Sequence, residues 1–145
     1  MPQYPFPLRT LPHFSEFLVA EHVILPHELQ QINQLWIDEK SADAELEGGQ
    51  DEELRKSSVM PLESGGAHNW IFERMMHKVL EANNFYYFDL LGIFEPLQLA
   101  EYGAGDFFDW HLDFGNGPSS TRKLSLSIQL SNSEDYEGGD LEFQI

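Results

Sequence analysis

The 145-residue chain is long enough for one domain with a packed core and too short for two comfortable ones. Apolar residues at 41% and aromatics at 13% exclude a disordered polypeptide, and the absence of cysteine excludes disulfides, thiolate metal sites and cysteine nucleophiles. With 25 acids against 8 bases the net charge is −17, a surface that repels nucleic-acid phosphate.

The opening MPQYPFPLRT lacks the basic region and apolar run of a signal peptide. No stretch approaches the roughly 18–20 apolar residues that a bilayer demands. The expectation is therefore a soluble, cytoplasmic protein with neither a membrane nor a nucleic-acid partner. The acids concentrate in residues 38–53 and 134–142, which read as a solvated loop and a solvated hairpin edge.

Taken in chain order, the first element is a helix from Pro26 to about Glu39. Proline stands at its first position, and Leu29, Ile32 and Trp36 keep helical spacing. KSADAELEGGQDEE reads as a polar loop, and Arg55 just beyond it as a loop cation. A second helix is predicted from about His68 to Asn83, with Trp70 or Ile71, Met75, Met76, Val79 and Leu80 on one broad face. The helical part thus covers about residues 14–84.

Strands are expected from about residue 85 to 145. FYYFDLLGIFEPLQLAEY runs into a glycine turn at Gly103 and Gly105, and DFFDWHLDFG follows. Leu124, Leu126, Ile128 and Leu130 then alternate with Ser125, Ser127, Gln129 and Ser131, a strong strand signal. YEGGDLEFQI closes the chain as a further hairpin arm. Helices followed by antiparallel strands predict an α+β fold with helices packed outside a sandwich or barrel.

His111 and Asp113 carry the chemical interest. Residues i and i+2 of a strand point to one face with alpha carbons about 6.5–7 Å apart, so the two project side by side. Asp109 and Phe107 share their face, while Phe108, Trp110, Leu112 and Phe114 form the opposite, core-facing row. An imidazole nitrogen and a carboxylate oxygen so placed can reach one ion at about 2.0–2.2 Å. Without thiolates, the pair suits a borderline divalent metal, and two histidines with one carboxylate make the facial triad of non-heme Fe(II) oxygenases. By itself His-x-Asp is weak, arising by chance in roughly a third of chains of this composition. Out of context, a strand histidine bonded to an exposed aspartate is the plainer reading.

The context is LQLAEYGAGDFFDWHLDFGNGPSSTRKLSLSIQLSNSEDYEGGDLEF, residues 97–143. Tyr102, Gly105, Phe108, His111 and Asp113 are followed by Arg122-Lys123-Leu124-Ser125 and Gly138-Gly139-Asp140-Leu141. In order and spacing this resembles the Fe(II)- and 2-oxoglutarate-dependent oxygenases, in their prolyl 4-hydroxylase-like branch. The helix and aromatic stretch upstream are similar to bacterial and phage members of that branch. There Arg55 and Trp70 resemble positions near the pocket entrance, whereas read from the residues alone they are a loop cation and a helix-face core residue.

The resemblance implies a double-stranded β-helix, or jelly roll, with flanking N-terminal helices in a single domain over 1–145. It implies His111 and Asp113 as the first two iron ligands, Tyr102 as a phenol contacting the 2-oxoglutarate carboxylate, and Gln129 and Leu141 as residues lining the co-substrate pocket. Read from the residues alone, Tyr102 is a strand-end aromatic, Gln129 a solvent-facing residue, and Leu141 and Trp110 core. The implied activity is hydroxylation of a prolyl or other peptidyl residue or of a small molecule, coupled to decarboxylation of 2-oxoglutarate to succinate. Fe(II), 2-oxoglutarate and ascorbate are the implied cofactors.

The family's third ligand, a late histidine, and the basic residue beyond it have no counterpart here, for no histidine follows Asp113. Leu141, Phe143 and Ile145 alternate with no turn after them. The expectation is a truncated jelly roll from a longer polypeptide, or a homodimer formed through an exposed strand edge. A non-catalytic jelly-roll binding module with a vestigial two-ligand site is the alternative, and another metal on a cupin-like barrel a third.

Overall fold

The computed structural model describes residues 15–37, 41–44 and 53–144. Helix α1, Pro26–Asn33, starts at the proline, whose missing N–H would have had no helical partner in the first turn anyway. The Glu28 carboxylate folds back to accept the Leu25 N–H at 2.8 Å. It also receives Nη2 of Arg74 at 2.6 Å, and Nη1 of Arg74 reaches the Val23 carbonyl at 2.6 Å. One arginine of the second helix therefore fixes both the start of α1 and the segment that enters it.

Helix α2 spans Asn69–Tyr86 and follows a short 3-10 turn, Gly66–His68. It runs past the expected end at Asn83 because that side chain reaches forward and does not stop the helix. Its amide brackets Phe88, accepting the N–H at 2.8 Å and donating to the carbonyl at 2.9 Å. Tyr87, at φ 59°, then takes the left-handed conformation that ends the helix. Ile71 and Met75 are buried on the predicted face, whereas Met76 and Leu80 at its margin are exposed.

Three strands fall inside the part of the chain expected to be helix and loop, which corrects that expectation. β1 (Ala42–Asp43), β2 (Arg55–Lys56) and β3 (Ser58–Leu62) all precede α2. Each is too short to show a period, and β3 contains Pro61. β1 reaches only Ser58 and Val59, so Pro61 lies where β3 is paired on one side alone, a position that tolerates its missing donor.

β4 (Leu97–Glu101) pairs antiparallel along the whole of β3, from Ser58↔Glu101 to Leu62↔Leu97, in a sheet ordered β1-β3-β4. β5 (Phe107–Phe108) pairs antiparallel with β2 in a second, two-stranded sheet. Helices packed on antiparallel sheets make an α+β fold. The core joins Ile32 of α1, Ile71 and Met75 of α2 and Leu62 of β3, with Trp70, Leu97, Leu99, Ile128 and Leu130 packed against it.

Residues 122–144, expected as strands, carry no strand or bridge. Their alternation is still expressed in part: Leu124, Ile128 and Leu130 are half-buried while Ser125, Ser127, Gln129 and Ser131 are exposed. An apolar/polar period sets which side of a segment is covered. A strand also needs a ladder partner, and none lies beside this segment among the described residues.

Candidate metal centre

The site is assembled by the turn between β4 and β5. The Asp106 N–H bonds the Gly103 carbonyl at 3.1 Å, and the Asp106 carboxylate accepts the Gly103 N–H at 2.8 Å. Gly105 holds φ 82°, a backbone state that side chains disfavour, so the predicted glycine turn is present. Lys56 of β2 adds an ion pair to Asp106 at 3.1 Å. The Gly103 N–H, followed by the lysine, holds the Asp106 carboxyl below the usual aspartate range.

Strand pairing sets Phe108 opposite Arg55, and the Asp109 N–H continues to the Leu54 carbonyl at 2.8 Å. There the strand ends. The Trp110 N–H turns to the Asp109 side chain at 2.7 Å, and the chain leaves the sheet. This overturns the expected core-facing row. Trp110, Leu112 and Phe114 are 55%, 73% and 59% exposed, since i, i+2 parity lasts only as long as the strand. Phe108, expected on the far face from His111, instead stacks flat on its imidazole, with centroids 3.5 Å apart and planes 8° from parallel.

His111 and Asp113 nevertheless come together, with Nε2 and Oδ1 3.2 Å apart. On the other side of the ring, Nδ1 lies 2.7 Å from the Asp109 carbonyl. A carbonyl only accepts, so Nδ1 carries a proton and donates it. In the neutral ring Nε2 then presents a lone pair toward an anionic carboxylate. Nε2 and Oδ1 are both atoms that can ligate a divalent metal. Donors at right angles on one ion, each about 2.1 Å away, stand about 3.0 Å apart, so the spacing suits a shared divalent metal. A backbone carbonyl that fixes the far nitrogen is also the usual support of a metal-binding histidine. Arg122 steadies the other end of the loop by tying the Asp113 carbonyl to the Glu95 carboxylate.

Tyr102 stands just beyond β4, half-exposed, with the Arg55 guanidinium carbon 6.0 Å from its ring centroid. Gln129 and Leu141 are not joined to the pair. Both are exposed, Leu141 at 70%, and neither has a hydrogen bond or ring contact with His111 or Asp113. Exposure also corrects the plain reading of Leu141 as core. No group of three histidines and carboxylates able to hold a metal occurs among the described residues. His27 and His77 line a cleft between α1 and α2 beside Trp70 and Arg74.

Arg55, read from the sequence as a loop cation, lies in strand β2 instead. Its ring neighbours are Phe108, which the β2–β5 pairing sets opposite it, and Tyr102. A local pattern around ELRKSSV carries no trace of that pairing.

Residues 97–144 match the family model of the 2OG-Fe(II) oxygenase superfamily. The chain is also similar to a PKHD-type hydroxylase of Synechococcus sp. (strain CC9902), at 28% identity over 132 residues. The match covers 90% of this chain and 57% of that protein, so the chain spans little more than half the length of the relative. No solved structure matches the chain. No helix among the described residues is long and apolar enough to cross a membrane.

Proposed function

From the premise that this chain carries, at residues 97–144, a segment of the 2OG-Fe(II) oxygenase superfamily of prolyl hydroxylase-like type, we propose that it is part of a non-heme Fe(II)- and 2-oxoglutarate-dependent dioxygenase. The reaction is hydroxylation of a prolyl or other peptidyl residue or of a small molecule, with 2-oxoglutarate decarboxylated to succinate. His111 and Asp113 hold the metal and Tyr102 meets the 2-oxoglutarate carboxylate. The architecture proposed for the active enzyme is a jelly roll, in which 122–131 and 136–144 become strands once a ladder partner lies beside them.

The observation that carries the reading is the 3.2 Å approach of His111 Nε2 to Asp113 Oδ1, with Nδ1 already committed to the Asp109 carbonyl. Iron bound there supplies the oxidative chemistry. The protein's own share is positional. The Asp109 carbonyl sets the tautomer, Phe108 covers one face of the imidazole, and Arg122 fixes the backbone of Asp113. Gln129 and Leu141 enter the co-substrate pocket only in the closed jelly roll.

A second reading is favoured by one observation, the lack of a three-ligand group among the described residues. It is a non-catalytic jelly-roll binding module with a vestigial two-ligand site. Anaerobic titration with Fe(II) and then 2-oxoglutarate separates the two. A visible metal-to-ligand charge-transfer band that His111→Ala abolishes supports the oxygenase. Failure to form the band, in this chain and in one extended past residue 145, supports the binding module.

A further inference from the structure

The cleft between α1 and α2 shares no residue with the His111–Asp113 pair. It encloses about 340 Å³, within the range of small-molecule sites. Helical spacing builds its two walls. Trp70, Glu73 and His77 follow i, i+3, i+7 along α2, and His27 and Gln31 stand i, i+4 apart on α1. The ion pair of Arg74 with Glu28, at 2.6 Å, joins one wall to the other.

The chemistry of these walls suits a cation. Arg74 keeps no terminal nitrogen free for an anion, because Nη1 donates to the Val23 carbonyl and to Glu28 while Nη2 donates to Glu28. Two carboxylates against one guanidinium leave negative charge in excess, on a chain whose net charge is −17. Glu73 accepts from Asn69 through Oε1 at 3.0 Å and keeps Oε2 for another donor. The rings of His27 and His77 are hydrogen-bonded to none of the described residues, and each offers one acceptor nitrogen when neutral. Trp70, packed against the core, supplies the ring type that attracts a cation most strongly. No group of three histidines and carboxylates among the described residues is arranged to hold a metal ion, which points to an organic cation.

We propose that this cleft binds a primary alkylammonium group. Its N–H donors are shared among Glu73 Oε2, His27 and His77, and its alkyl stem lies on Trp70. A quaternary ammonium has no N–H to give those acceptors. The group belongs either to a free amine or to a lysyl side chain, and the shared chemistry is an ammonium on an alkyl stem. The proposal stands independently of the oxygenase reading.

The test follows the indole N–H of Trp70 by proton–nitrogen correlation NMR, with Trp70→Phe used to identify its signal. At about pH 7.5 an alkylammonium is charged and an ordinary histidine is mostly neutral. The probes are n-butylammonium, tetramethylammonium and n-butanol, titrated at constant ionic strength. Wild type is expected to bind n-butylammonium at least about fivefold more tightly than either of the others. Glu73→Gln should weaken n-butylammonium by about threefold or more. Asp89→Asn, which removes an exposed carboxylate outside the cleft, should leave it unchanged. Equal binding of n-butanol or tetramethylammonium by wild type overturns the proposal without reference to any variant. Undiminished binding by a folded Glu73→Gln chain overturns it as well. So do equal losses in Glu73→Gln and Asp89→Asn, since attraction by overall charge would then suffice.

Nα-acetyl-lysine methylamide assigns the source. If it binds as tightly as n-butylammonium or more so, the cleft receives a lysyl side chain. If it binds more weakly while n-butylammonium still saturates the Trp70 signal, the cleft receives a free amine.

Discussion

Arg122 donates through Nη1 to the backbone carbonyl of Asp113 at 2.7 Å. Its Nε donates to one oxygen of Glu95 at 2.8 Å and its Nη2 to the other, so a bidentate pair anchors the guanidinium that holds a proposed metal ligand in place. Arg122→Ala should lower Mn(II) or Fe(II) affinity by about 10–100-fold, the usual effect of removing a support behind a ligand. Arg122→Lys should recover little, because a single ammonium cannot span Glu95 and the Asp113 carbonyl together. Anaerobic metal titration beside far-UV circular dichroism checks this. Unchanged affinity in a folded Arg122→Ala chain would show that the clamp is incidental.

The same clamp sets an acid limit. The hydrogen bond from Arg122 is the leading cause that holds the Glu95 carboxyl below its ordinary value of 4.5, with partial burial opposing it. A carboxyl lowered in the folded state adds stability above its unfolded value and loses it as pH falls through the lower, folded one. The stability advantage of the wild-type chain over Glu95→Gln should therefore be flat above pH 4.5 and shrink below it. Urea midpoints for the two chains through the acid range measure the difference. An advantage that grows on acidification would contradict the assignment.

How much of this was legible beforehand differs from one residue to the next. Ile71 and Met75 could be read because a helix repeats its pattern within four residues. The turn at Gly105 could be read because glycine is the residue that accepts φ 82°. His111 beside Asp113 was anticipated, though the route differs, since a bend after Phe108 now brings them together. Phe108 on His111 and Arg55 beside Phe108 were not legible. The first depends on where the strand stops, and the second on a pairing between distant segments that no local period records. The segment from Leu124 to Leu130 shows the limit from the other side, with its facing expressed and its ladder missing.

Met75 and Met76 offer a direct check on the helix face. Met75 is 3% exposed within the cluster of Ile32, Leu62 and Ile71, while Met76, one residue on, is 44% exposed. Met75→Ala should cost about 2–5 kcal/mol through lost burial and the cavity left behind. Met76→Ala should stay within about 0.5 kcal/mol. Denaturant unfolding of both variants decides the matter, and equal losses would move the core to the other side of α2.

Gly105 gives the sharpest test of the turn that precedes the site. A Cβ added there meets nothing within 4 Å, so any cost of a side chain comes from the backbone at φ 82° and not from crowding. Gly105→Ala should therefore destabilise by about 1–2 kcal/mol, the penalty for an L-residue in the left-handed region. D-alanine at the same position, introduced by semisynthesis, adopts that φ without strain. It also narrows the freedom of the unfolded chain, so it should match or exceed wild type by about 0.4–1 kcal/mol. Opposite effects from two residues of identical size isolate backbone handedness as the cause. If both variants lose the same amount, backbone handedness is not the cause, and the account of the Gly103–Asp106 turn must change with it.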